Sequence, residues 1–135
     1  MGKIELPEAR GVQILLVDDE EGFASVLEKR LARRGFSVEY APSGSEAILK
    51  LRARLFDLVV LDLKMQDMDG LEVLRIFRKM DPNLPVIILT GHGSDELAAL
   101  ERDRDPMSDY LIKPCDFDEL LARILELVRE ARTRA

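Results

Sequence analysis

Cysteine is almost missing from this 135-residue chain, and tryptophan is missing altogether. Cys115 stands alone, which excludes an internal disulfide and fits a reducing setting. Long apolar runs are missing too. Ile14 to Val17, Leu58 to Leu61 and Val86 to Leu89 are four residues each, far from the roughly 18 that a membrane span needs. No basic stretch is interleaved with aromatics, and 26 acidic side chains outnumber 20 basic ones for a net charge of −6. That balance argues against nucleic acid as a partner of this chain and requires any anionic ligand to be held locally. The opening Met1-Gly2-Lys3-Ile4-Glu5-Leu6-Pro7 has no apolar core of a secretory signal, and Leu6 occupies the place where an N-myristoylation motif wants Ser or Thr. The expected location is the cytoplasm, with no membrane contact.

What is present is a chain of 47% hydrophobic and 34% charged residues, enough for one globular domain that needs no disulfide to close its core. Short β-branched and leucine-rich runs alternate with longer segments of helical period, the pattern of successive βα units around a parallel sheet. Strands are expected over Val12 to Val17, Phe36 to Tyr40, Asp57 to Leu61, Pro85 to Leu89 and Met107 to Ile112. Between them, Phe23, Val26, Leu27 and Leu31 predict the inward face of a first helix closed by Gly35. Ser43 to Glu46 has capping-box spacing for a second helix. Leu71, Leu74, Ile76 and Phe77 line a third, which ends at Asp81-Pro82. The segment from Asp95 to Arg104 offers only Leu97 and Leu100, so the fourth helix is expected to be short and mobile. Phe117, Leu120, Leu121, Ile124 and Val128 mark a strong final helix. Leu125 and Leu127 lie off its main stripe, either partly buried at the flank or forming an apolar patch for a partner.

The chemistry lies beyond the strand ends, where ligands sit in doubly wound α/β sheets. There the chain carries Asp18-Asp19-Glu20-Glu21, Asp62, Thr90-Gly91 and Lys113-Pro114. Aspartates gathered together repel one another, so the arrangement calls for a cation among them or for compensation by Lys113. An all-oxygen set that keeps several waters suits Mg²⁺. Flanked by that ion and by an ammonium group, Asp62 is the candidate nucleophile towards phosphorus. The Thr90 hydroxyl is placed to donate to a phosphoryl oxygen, and Gly91 leaves room for the group. Taken singly, each motif is no more than a helix cap, a loop carboxylate, a turn or a chain reversal. Their joint occurrence lifts them above that background.

In these motifs the chain resembles the receiver domains of two-component response regulators, over roughly Val12 to Val128. The resemblance implies a flavodoxin-like (βα)5 fold, a doubly wound parallel five-stranded sheet of strand order 2-1-3-4-5. Residues 1–11 are then an N-terminal extension, 12–128 the receiver, and 129–135 a basic tail or the start of a linker into a longer parent. It further implies Asp62 as phosphoacceptor, with Asp19 and Asp62 as direct Mg²⁺ ligands. Asp18 would act largely through water, and the carbonyl of Lys64 would be a third protein ligand. Thr90 resembles the switch hydroxyl, Lys113 the phosphate-binding lysine, Tyr110 the aromatic that turns inward, and Lys113-Pro114 the family's cis peptide. The implied partners are a sensor histidine kinase or phosphotransfer protein, a downstream protein or fused effector domain, and a second copy docking through the fourth helix, fifth strand and final helix. The domain would catalyse only its own phosphotransfer and slow dephosphorylation, so it is not an enzyme in the ordinary sense.

Three features depart from the family pattern. Gln66 replaces the usual proline in Asp62-Leu63-Lys64-Met65-Gln66-Asp67-Met68-Asp69-Gly70, so the loop is expected to be freer for want of a fixed φ. Pro106-Met107 replaces a Gly-Ala pair before the fifth strand, and the fourth helix is unusually polar. Lys64 and His92, two positions beyond the acceptor and the switch residue, are expected to tune the lifetime of an aspartyl phosphate. A degenerate receiver serving only as a docking module is the alternative reading. A dehalogenase-type phosphatase would want an acid where Lys64 stands. A flavin mononucleotide carrier would want a phosphate cradle where Asp18 to Glu21 stand.

Overall fold

The computed structural model describes residues 5–91, 95–102 and 105–134. His92 lies outside them, as do Asp103 and Arg104 at the end of the expected fourth helix. Among the described residues the strands are β1 (Gln13–Val17), β2 (Ser37–Ala41), β3 (Leu58–Asp62), β4 (Val86–Gly91) and β5 (Ser108–Lys113). The helices are α1 (Glu21–Arg33), α2 (Gly44–Ala53), α3 (Gly70–Met80), α4 (Asp95–Arg102) and α5 (Phe117–Arg134). All strands run parallel in the order β2-β1-β3-β4-β5. This is the flavodoxin-like order, and it reverses between β1 and β3. No described helix is long and apolar enough to cross a membrane.

Alternate side chains of each strand point to opposite faces, and both faces are covered. Ile14, Leu16, Leu58, Val60, Ile87 and Leu89 meet Leu27 and Leu31 of α1 and Leu120, Ile124 and Val128 of α5. On the other face Leu15, Val17, Val59, Leu61 and Ile88 meet Ala47 of α2, Val73 and Phe77 of α3, and Leu100 of α4. Strands buried on both sides read as unbroken apolar runs. The segment before β1 joins the first cluster: Ala9 is fully buried, Leu6 packs beside it, and the Leu6 N–H donates to the Arg34 carbonyl at 2.8 Å.

Local signals place most helix ends. The Ser43 hydroxyl accepts the Glu46 N–H at 3.2 Å, and the Asp69 carboxylate accepts the Leu71 N–H at 3.1 Å, each capping a helix. Gly35 turns the chain out of α1 at φ +109°, a conformation that favours glycine.

Three expectations need correction. All five strands begin one residue later than expected, and the four later ones run one or two residues beyond their expected ends. Ladder hydrogen bonding does not stop where hydrophobicity does. Phe23 and Val26 are 40% and 59% exposed, because Ala24, Leu27 and Leu31 carry the inward face of α1. For Leu125 and Leu127 burial, the first of the two readings, holds: Leu127 is buried and Leu125 packs against the same cluster. In α3 the buried apolar side chains are Val73 and Phe77, while Leu71, Leu74 and Ile76 are half-buried.

Candidate functional site

The carboxyl ends of β1, β3, β4 and β5 bring the expected residues to one edge of the sheet. Asp62 is the last residue of β3 and pairs with Leu89. One step beyond Leu89, Thr90 pairs with Ile112, and Gly91 pairs with Lys113 at the end of β5. Asp62, Thr90 and Lys113 are therefore rungs of the ladder rather than loop residues. Rigid backbone sets their spacing.

The side chains converge. Lys113 Nζ donates to Asp62 Oδ2 at 2.8 Å, and the Lys64 N–H donates to Asp62 Oδ1 at 3.0 Å. Asp62 and Thr90 are buried, at 3% and 2% exposure, whereas Asp19 is exposed and accepts the Gln66 N–H on Oδ2 at 3.2 Å. Asp18 is fully buried. Its Oδ1 accepts the Glu20 N–H at 2.8 Å, its carbonyl accepts the Tyr40 hydroxyl at 2.7 Å, and its Oδ2 has no hydrogen-bond partner among the described residues. An open cleft of about 540 Å³ lies over these groups, bordered by Asp19, Glu20, Asp62, Lys64 and Lys113.

Electrostatics follow from that crowding. Burial pushes the Asp18 carboxyl up to about 6; the Glu20 N–H opposes this, and the charge of Asp62 adds to it. Burial works against the Lys113 ammonium as well. The hydrogen bond and charge of Asp62, with the charges of Asp18 and Glu20, outweigh it and hold Lys113 above the ordinary lysine value. The Lys113 ammonium thus faces several carboxylates, and negative charge is in excess around it.

The residues fit a hydrated divalent cation. Asp18 Oδ2 is a buried oxygen without a donor among the described residues, which a water of the ion's hydration shell would supply. Asp19 and Asp62 face the same cleft as Lys64. Among the described residues no group of three or more His, Cys, Asp or Glu side chains is gathered for an ion. Mg²⁺ fits that limit, since it commonly takes one or two carboxylates and keeps several waters.

The remaining expected residues lie around this edge. Tyr110 on β5 is half-buried against the α2–α4 side of the core, and its hydroxyl donates to Glu101 Oε2 of α4 at 3.0 Å. The Lys113-Pro114 peptide is cis. Met107 of the unusual Pro106-Met107 pair is buried, and its N–H is capped by Asp105 Oδ1 at 2.9 Å. Phe23 was missed as a site neighbour. Its ring lies 5.4 Å from Lys113 Nζ, in cation–π range. Helical periodicity alone assigns it to the core.

The response regulator receiver domain family model matches residues 14–125. The chain belongs to that family. As a receiver domain it is a part of two-component signalling. It is similar to the transcriptional regulatory protein ZraR of Klebsiella oxytoca, 38% identical over 121 residues, covering 90% of this chain and 27% of that protein. The receiver domain therefore spans about a quarter of the length of such relatives. Among solved structures, a CheY-like receiver domain protein of Methanospirillum hungatei superposes with a TM-score of 0.84 at 29% identity, over 92% of this chain and 98% of that one. The response regulator TrrA of Thermotoga maritima, solved in complex with Mg²⁺–BeF, gives a TM-score of 0.74 at 31% identity, over 86% and 98% of the two chains.

Proposed function

We propose that this receiver domain accepts a phosphoryl group on Asp62 from a phosphohistidine of a sensor kinase or phosphotransfer protein. The observation that carries the reading is the Asp62–Lys113 contact of 2.8 Å inside an acid-rich cleft. An Asp62 carboxylate oxygen attacks phosphorus in line; the P–N bond to the donor imidazole breaks, and the imidazole leaves with the electron pair. Lys113 holds the Asp62 carboxylate and neutralises charge on the transferred group. Asp19, Asp62 and the Lys64 carbonyl would hold Mg²⁺ directly, with Asp18 acting through water; when bound, the ion neutralises phosphoryl oxygens and aligns donor with acceptor. The Mg²⁺–BeF complex of TrrA supports that cation site.

After transfer, Thr90 donates its hydroxyl to the new phosphoryl group. Withdrawal of Thr90 towards the site favours an inward position of Tyr110, which must release Glu101 of α4. The two positions are states of one equilibrium, and the modification biases it. The readout is the surface made by α4, β5 and α5. It serves a downstream protein, a fused effector domain or a second copy of the chain. Without an acid at Lys64 to speed hydrolysis, the mixed anhydride persists as a signal. Lys64 and His92 tune that persistence, and alanine at both positions changes the rate of dephosphorylation.

Mass spectrometry after exposure to acetyl phosphate and Mg²⁺ tests the reading. One added phosphoryl mass is expected, and none in Asp62→Asn. No addition to the unaltered chain would favour a docking module that never takes phosphate.

A further inference from the structure

The loop between β3 and α3 lacks the proline that would stiffen it, yet it is tied down at several points. Its two ends touch: a Cβ on Gly70 would lie 2.6 Å from both the Cα and the carbonyl oxygen of Leu63, an approach only glycine permits. In its middle, the Asp67 carboxylate reaches the N-terminus of α2. Oδ1 accepts the Gly44 N–H at 3.1 Å, and Oδ2 accepts the Ser45 N–H at 3.1 Å and the Ser45 hydroxyl at 2.9 Å. Burial works to raise Asp67, but these donors outweigh it and hold the carboxyl below its ordinary value. The helix N-terminus adds a favourable dipole. Packing backs the contact, since a Cβ on Gly44 would lie 2.8 Å from Val73 Cγ2 and 3.2 Å from Met68 Sδ.

Between these ties run the two loop donors that face the acidic cleft. The Lys64 N–H is on Asp62 and the Gln66 N–H is on Asp19. Their acceptors are the two carboxylates assigned to the cation, and the Lys64 carbonyl lies between the donors in the chain. A proline at position 66 would have no N–H to give. In this chain backbone hydrogen bonds, not a locked φ, keep the loop on its carboxylates.

We propose that Asp67 is a positioning residue for the cation site: by clasping the N-terminus of α2 it holds the Lys64–Gln66 backbone against Asp62 and Asp19. The inference rests on the cation site described above. Mg²⁺ requires near-ideal geometry, so a loop that must be ordered on binding weakens affinity, and groups behind the ligands matter accordingly.

The test is Mg²⁺ titration of the folded protein by calorimetry, paired with amide hydrogen exchange. Asp67→Ala is expected to raise the Mg²⁺ dissociation constant about tenfold and to speed exchange at Lys64, Met65 and Gln66. Ser45→Ala, which removes one of the bonds, is expected to show a smaller rise in the same direction. Should Asp67→Ala fail to fold, Asp67→Asn and Ser45→Ala decide, and both must weaken Mg²⁺ binding. A folded variant that loses stability or loop protection but binds Mg²⁺ as before overturns the clasp and leaves a helix cap. Absence of saturable Mg²⁺ binding by the unaltered chain overturns the cation site itself, and the clasp with it.

Discussion

Lys113 at the end of β5 reaches past β4 to place its ammonium 2.8 Å from Oδ2 of Asp62 at the end of β3. The two residues lie on strands that are not neighbours in the sheet, so this ion pair spans the top of β4, where Thr90 sits. A buried carboxylate that loses its cation keeps its desolvation cost without compensation.

Lys113→Met retains the bulk and removes the charge. It is expected to lower stability by about 1 to 3 kcal/mol at pH 7, between the values for an exposed and a fully buried pair because the lysine is partly solvated. Urea unfolding measures it. An unchanged midpoint would show that Asp62 does not depend on the ammonium.

Asp18 has the opposite sign. A fully buried carboxylate with an oxygen that accepts no hydrogen bond from the described residues is a liability until a hydrated cation arrives. Asp18→Asn is expected to stabilise the metal-free domain by about 1 to 2 kcal/mol. Added Mg²⁺ should then raise the melting temperature of the unaltered chain more than that of the variant. Equal shifts on adding Mg²⁺ would remove Asp18 from the site.

A pH dependence is expected at Asp105, away from the cleft. Burial works to raise its carboxyl, but hydrogen bonds from Arg78 and Ser108 and the Arg78 charge outweigh it and hold the group below its ordinary value. Arg78, 18% exposed, donates to Asp105 at 3.1 Å and to the Ser108 hydroxyl at 2.6 Å, joining α3 to the start of β5. A carboxyl lowered on folding contributes stability that is complete above its unfolded value and is lost as pH falls through the folded one. The advantage of the unaltered chain over Asp105→Asn should hold flat from pH 7 to about 5 and fade below about 4. Unfolding curves across that range check it; an advantage that grows towards acid would reverse the assignment.

Two glycines should respond oppositely to alanine. Gly70→Ala drives a Cβ into Leu63 backbone and is expected to cost about 2 to 3 kcal/mol. Gly22, in the first turn of α1, has nothing within 4 Å of an added Cβ. Gly22→Ala is expected to be neutral or to stabilise by up to about 0.5 kcal/mol. Thermal unfolding of the two variants tests whether close approach, and not the loss of a glycine as such, sets the cost.

Much of this is legible in the amino-acid sequence. Alternating apolar runs and helical stripes are local patterns, and they placed five strands in a parallel sheet. The order Asp18-Asp19, Asp62, Thr90, Lys113 leads to one edge because each motif stands at the carboxyl end of a strand. Where local patterns misled, a competing interaction explains it. Phe23 fits a helical stripe but lies beside Lys113, because Ala24 and Leu27 already fill the space under α1. The strands outlast their apolar runs because backbone pairing is indifferent to Asp62 or Lys113 as a side chain.

Gln66 shows the boundary most clearly. From its place in the chain it means a missing proline and a slack loop. In the fold its N–H holds Asp19, and Asp67 beside it grips Ser45, 22 residues earlier. The amino-acid sequence by itself determined which groups exist, their periodicity and their order along the chain, since those are properties of neighbours. Only tertiary structure decided which distant groups meet, because a hydrogen bond between α2 and the loop after β3 forms after the sheet has brought them side by side.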